Sequence, residues 1–171
     1  MSGQAILDVL VVGSGAAGLA AALTADRAGA RVGLVTKGSI QSCNSAKAQG
    51  GIQAAFGDDD SPEQHADDVW RSSHETANRE LVEVLTAEAP DAIHWLEDLG
   101  VEFTRENGGY RLARCGGASR KRLLQVGDDV VGRQLERPLQ HLRVVGDVAD
   151  QFTHPAGAEE PQRQVEDVPG D

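Results

Sequence analysis

Five histidines, two cysteines and one glycine-rich turn are the parts of this chain with the means to do chemistry. His65, His74, His94, His141 and His154 share no metal-ligand spacing with one another or with Cys43 and Cys115. Each reads as a surface or packing residue, and no metal site is expected. The chain contains no G-x-S-x-G, no G-x-x-x-x-G-K-[ST] and no H-E-x-x-H, so hydrolytic chemistry has no support. What remains is chemistry borrowed from a cofactor. Gly13-Ser14-Gly15-Ala16-Ala17-Gly18 has G-x-G-x-x-G spacing, with apolar Val9–Val12 before it and an alanine-rich run after it. In that context the spacing points to dinucleotide binding. Gly13 makes the turn, Gly15 admits a pyrophosphate to the backbone, and Gly18 lets the helix close on the strand. The helix N-terminus turns free N–H groups and a partial positive charge toward the phosphates.

The surrounding elements must position that turn. Residues 5–12 are expected to form a strand with Val and Leu on both faces, as in a parallel sheet covered by helices on each side. Residues 16–28 form the crossover helix with Gly29 as its cap, and residues 31–36 form the second strand. An acidic residue should close that strand if the ligand were NAD. Thr36-Lys37 stands there instead, which leaves FAD open with Thr36 or Lys37 as a polar contact. Residues 38–60 show little periodicity and contain Ala48-Gln49-Gly50-Gly51-Ile52, whose paired glycines suit contact between backbone and a flat ligand.

Asp58-Asp59-Asp60 reads as a solvated charge run. Ser61-Pro62-Glu63-Gln64 opens a helix with an N-cap, a proline at the first position and a capping box, and that helix runs to about residue 76. A second helix carries Leu81, Val82 and Leu85 on one face until Pro90 breaks it. A third carries Ala92, Ile93, Leu96 and Leu99 inward and stops at Gly100. Trp70 and Trp95 are packing residues. Val101–Thr104 is a strand candidate that pairs with residues 110–114 around Asn107-Gly108-Gly109. Arg120-Lys121-Arg122 is expected to face solvent, the alternative being recognition of a carboxylate or phosphate, and residues 130–141 to form one more helix. Beyond Leu142 acid and proline dominate, so no packed structure is expected after about residue 145.

The 171 residues suffice for one domain, and the net charge of −11 disfavours a nucleic-acid partner. No run approaches the ~20 apolar residues of a membrane span, so direct membrane insertion is not expected. Absence of a signal-like N-terminus and of a disulfide framework points to the cytoplasm.

Asp8 with Val9–Leu23, Thr36-Lys37-Gly38, Ala48–Ile52, Asp91–Gly100, Arg114–Leu124 and Gly132-Arg133 occur in an order that resembles the N-terminal part of the succinate dehydrogenase/fumarate reductase flavoproteins, a family that includes the L-aspartate oxidases. The resemblance implies an α/β fold. It would be a partial Rossmann-like FAD-binding domain over residues 1–142, with a βαβ start, a helical insertion, and a disordered acidic tail over 143–171. It implies FAD as cofactor, with Gln49, Gly50 and Gly51 along the flavin and Gly38, Ser42, Asn44 and Ser45 also contacting it. The respiratory members carry a covalently flavinylated histidine where this chain has Asn44, so the FAD is expected to be non-covalent. Cys115 replaces a glutamate that in the aspartate oxidases helps to read the substrate ammonium, and Ala118 replaces a polar residue. The family's capping domain and dicarboxylate-clamping Arg and His groups have no counterparts here, so catalytic residues stay unassigned. The expectation is therefore a truncated oxidoreductase that acts on a small dicarboxylate when complete, with a partner polypeptide completing the domain. The alternative is a non-catalytic dinucleotide-binding or partner-binding module.

Overall fold

The computed structural model describes residues 6–127 and 143–147. Its first unit is built as the glycine turn requires. Strand β1 (Val9–Val12) leads through the turn into helix α1 (Ala16–Arg27), and β2 (Val32–Thr36) returns parallel to β1 with Val9 opposite Val32 and Val12 opposite Val35. Leu19, Ala22 and Leu23 of α1 are buried together with Val32 and Leu34. Asp8, just before β1, accepts hydrogen bonds from the Arg31 backbone and guanidinium, tying the two strand entrances together.

Two expectations for this sheet fail. Val9 and Val11 pack against the core, but Leu10 and Val12 on the opposite face are 57% and 79% exposed, with Ile6 bare beside them. No described element covers that face. The second correction concerns the tail. Residues Arg143–Asp147, assigned from sequence to an unpacked tail, pair parallel to β2 as a third strand, with Leu34 opposite Val144. Apolar Val144-Val145 was too short a signal against the acid around it. The sheet order places β1 at one edge, β2 in the centre and this strand at the other edge. The expected helix over 130–141 and the rest of the tail lie outside the described residues.

Residues 38–60 are not structureless. Short 3₁₀ turns occupy Ile40–Ser42 and Ser45–Lys47, and β3 (Ile52–Gln53) joins a second, antiparallel sheet. Helix α2 (Pro62–Ser72) starts as its sequence dictates, with the Ser61 hydroxyl accepting from the Gln64 N–H. It ends sooner than expected, and His74 and Glu75 take positive φ in the link to α3. Helix α3 runs unbroken over Arg79–Asp98 with Pro90 inside it. An interior proline costs about 3 kcal/mol. Burial of Val82 and Thr86 before it and of Ile93 and Leu96 after it, along one face, opposes that cost. Leu81, Val82 and Leu85 do not share a face as expected: Val82 is buried, and Leu81 and Leu85 are exposed.

The strand expected at residues 101–104 does not form. Val101 and Phe103 are buried core residues in extended chain, and the hairpin is tighter, between β4 (Arg105–Glu106) and β5 (Gly109–Tyr110). Asn107 and Gly108 take φ of 52° and 85°, as a two-residue type I′ turn requires. Strands β6 (Leu112–Ala113) and β7 (Leu123–Leu124) complete the second sheet, with β7 between β6 and β3.

Candidate cofactor site

The glycine turn lies at the end of β1, held from below by hydroxyls. Gly13 has φ of 109°, and its N–H donates to the Val35 carbonyl at 2.7 Å. The buried Ser14 hydroxyl donates to the Ile40 carbonyl at 3.1 Å and lies 3.1 Å from the Thr36 hydroxyl. Its single proton goes to Ile40, so Thr36 donates to Ser14. Thr36 therefore serves inside the turn, as a brace. Gly18 meets the Gly13 carbonyl so closely that any side chain there would collide with it. This is the close approach of helix to strand that the spacing anticipates.

At the start of α1 the Ala16 N–H donates to the Ser45 hydroxyl at 3.0 Å, and no described group accepts from the N–H of Ala17 or Gly18. Two donors at a helix N-terminus thus stay open beside a hydroxyl that caps their neighbour. Lys37, Ser42 and Asn44 are exposed around the same end of the sheet, and Gly38 packs beside the Ser42 hydroxyl. The structure accordingly gathers Gly13, Ser14, Gly15, Ala16, Ala17, Gly18, Thr36 and Ser45 at one place.

Gln49, Gly50 and Gly51 form a separate exposed shelf leading into β3. Gly51 has a structural duty that sequence reasoning missed: a side chain there would run into the Leu124 carbonyl of β7. Its smallness serves packing between strands.

The larger omission is ionic. The acidic run before α2 and the basic run before β7 were both expected to be solvated, and the structure pairs them. Arg122 is fully buried and donates through Nε and Nη2 to the two oxygens of Asp60, at 2.9 and 2.7 Å. Its Nη1 donates to Asp68 at 2.8 Å. Asp68 also accepts from the Ser119 N–H and hydroxyl, at 2.7 and 2.8 Å, and from Arg71. Burial pulls the Asp68 carboxyl upward, but Ser119, Arg71 and Arg122 outweigh it and hold it well below the usual carboxylate range. Arg120 pairs with Asp59. His65, packed alongside, is pushed below its ordinary value by burial and by Arg122, against the pull of Asp60 and Asp68. Its Nδ1 is buried without a hydrogen-bond partner. Apart from Arg71, one helical turn from Asp68, the partners in this cluster stand more than fifty residues apart in the chain, and no local pattern links them.

No group of three or more His, Cys, Asp or Glu side chains among the described residues could hold a metal ion, and no described helix is long and apolar enough to cross a membrane. Comparison with known proteins decides the family. The FAD binding domain family model matches residues 8–157. The chain belongs to that family. It is 41% identical over 133 residues to an L-aspartate oxidase from Streptomyces coelicolor, covering 77% of this chain and 23% of that protein. An L-aspartate oxidase from Mycobacterium leprae is 38% identical over 145 residues, which is 82% of this chain and 28% of that one.

Among solved structures, the Mycobacterium smegmatis Sdh1 complex superposes with a TM-score of 0.72 at 34% identity, covering 78% of this chain and 24% of that one. An E. coli quinol fumarate reductase superposes with a TM-score of 0.72 at 27% identity, covering 86% and 24%. The succinate dehydrogenase/fumarate reductase flavoproteins are thus this FAD-binding domain's relatives, and FAD is the cofactor the family indicates. The chain spans about a quarter of the length of the curated relatives it matches.

Proposed function

We propose that this chain supplies the pyrophosphate-binding part of a non-covalent FAD site in a flavin-dependent oxidoreductase of small dicarboxylates. The open N–H groups of Ala17 and Gly18, beside a turn braced by Ser14, Thr36 and Ser45, carry this reading. They suit a doubly charged pyrophosphate, and the Gly18 contact leaves no room for a side chain that would push helix and strand apart. Bound FAD would supply hydride transfer. The chain's own residues orient it: the turn fixes the phosphates, Lys37 adds a positive charge nearby, and Gln49-Gly50-Gly51 offer backbone and amide donors to the ring. Asn44 has no imidazole with which to bond the flavin covalently, which supports dissociable binding. The half-buried thiols of Cys43 and Cys115 are free, as suits the reducing cytoplasm.

The bare face of β1 supports a second element of the proposal, a partner polypeptide that completes the sheet. Parallel strands are covered on both faces, and Leu10 and Val12 are not. A partner-binding module without cofactor is the reading against which this one is tested.

Purified protein incubated with FAD and desalted should keep a flavin absorption band and release intact FAD on denaturation. Gly18→Val should abolish retention. Protein that stays colourless while folded would leave only the partner-binding reading.

A further inference from the structure

We propose that Arg122, gripping Asp60 and Asp68, is a positioning residue that fixes the two paired-glycine turns, Gly50-Gly51 and Gly116-Gly117, relative to one another. The inference rests on the FAD-site reading for its functional meaning, since Gly50-Gly51 is the shelf offered to the flavin ring.

The geometry runs outward from one guanidinium. On one side its fork engages both oxygens of Asp60, whose Oδ1 also takes the Ser61 N–H and so belongs to the start of α2. On the other side Nη1 reaches Asp68 in the middle of α2, and Asp68 holds Ser119 through two hydrogen bonds. The chain before Ser119 is held as well. Arg114 donates to the Ala118 and Ser119 carbonyls at 3.0 and 2.7 Å, and Gly117, at φ of 81°, packs against the Ser72 side chain. Gly116-Gly117 is thus anchored to α2 through Asp68.

The backbone of Arg122 serves the other turn. Its carbonyl accepts from the Ala54 N–H at 3.0 Å, and the next two residues are β7, paired with Ile52 and Gln53. The Leu124 carbonyl is the group against which Gly51 packs. One residue therefore holds α2 with its side chain and the flavin shelf with its main chain. Moving Arg122 moves both glycine pairs. A carboxylate–guanidinium fork specifies direction as well as distance, and lysine cannot reproduce it.

Hydrogen–deuterium exchange on the full chain without FAD tests the coupling apart from any cofactor. Arg122→Lys and Asp60→Asn should each speed exchange about tenfold in both residues 50–54 and 116–119. Val82→Ala, a core truncation in α3, should lower the thermal midpoint and leave those two segments protected. Unchanged exchange in either segment, or an equal rise in the Val82 variant, overturns the proposal. In FAD titrations Arg122→Lys should weaken binding about tenfold and shift the flavin absorption spectrum, a change that loss of stability alone does not produce. If the unaltered protein binds no FAD but the exchange pattern holds, the coupling stands and the cofactor reading falls.

Discussion

The two glycine-bearing regions of this domain are held by opposite means. The Gly13–Gly18 turn is braced by neutral hydroxyls, Ser14 on Thr36 and Ile40 and Ser45 on Ala16. The Gly50-Gly51 and Gly116-Gly117 turns are held by buried charge, Arg122 between Asp60 and Asp68. Hydroxyls brace weakly and add no charge, so the open N–H groups of α1 stay available to an anion. Buried ions hold direction firmly at a high desolvation cost, and they fail badly when one partner is lost. The first arrangement suits the proposed phosphate cradle, and the second suits the proposed shelf for a rigid ring.

The sharpest way to break this contrast is Arg122→Ala. It leaves Asp60 buried without a counter-ion and Asp68 with Arg71 alone, and should destabilise the domain by about 3–5 kcal/mol in urea unfolding. Gly18→Ala should cost about 1–3 kcal/mol, because the added methyl forces α1 off the Gly13 carbonyl, and should weaken FAD binding in the same titration.

Acid separates the two regions next. Asp68 titrates lower in the folded protein than in the unfolded chain, so its stabilisation is present above the unfolded carboxylate value, about 4, and is lost as pH falls below it. Unfolding followed by circular dichroism from pH 7 to pH 3 should show this loss, and Asp68→Asn should flatten the slope. The hydroxyl-braced turn contributes nothing to that slope. Smallest of all, Ser45→Ala should cost about 0.5–1 kcal/mol, since water can replace its hydroxyl at the exposed Ala16 N–H. A loss above 2 kcal/mol would show the neutral brace to be as stiff as the ionic one.

The hydroxyl-braced region was legible in the sequence because its parts are local. The turn, its strand and its helix follow from spacing within residues 9–36, as do the Ser61 cap and the Gly29 and Gly100 stops. The ionic region was not legible. Asp60 and Arg122 each sit in a run of like charge that taken alone looks solvated, and only folding brings the runs together. Local propensity makes Pro90 a helix breaker, and only the buried face that spans it keeps the helix whole. Apolar Leu10 and Val12 say that their face of the strand wants cover, not that cover is present.

The open side of β1 has a practical consequence for handling the protein. A strand at a sheet edge with Ile6, Leu10 and Val12 bare beside it is a template for further strands. In isolation the protein is therefore prone to self-association, restrained chiefly by its net charge of −11. Salt weakens that restraint, so light scattering should rise with ionic strength, and a single Leu10→Lys change should keep the solution clear.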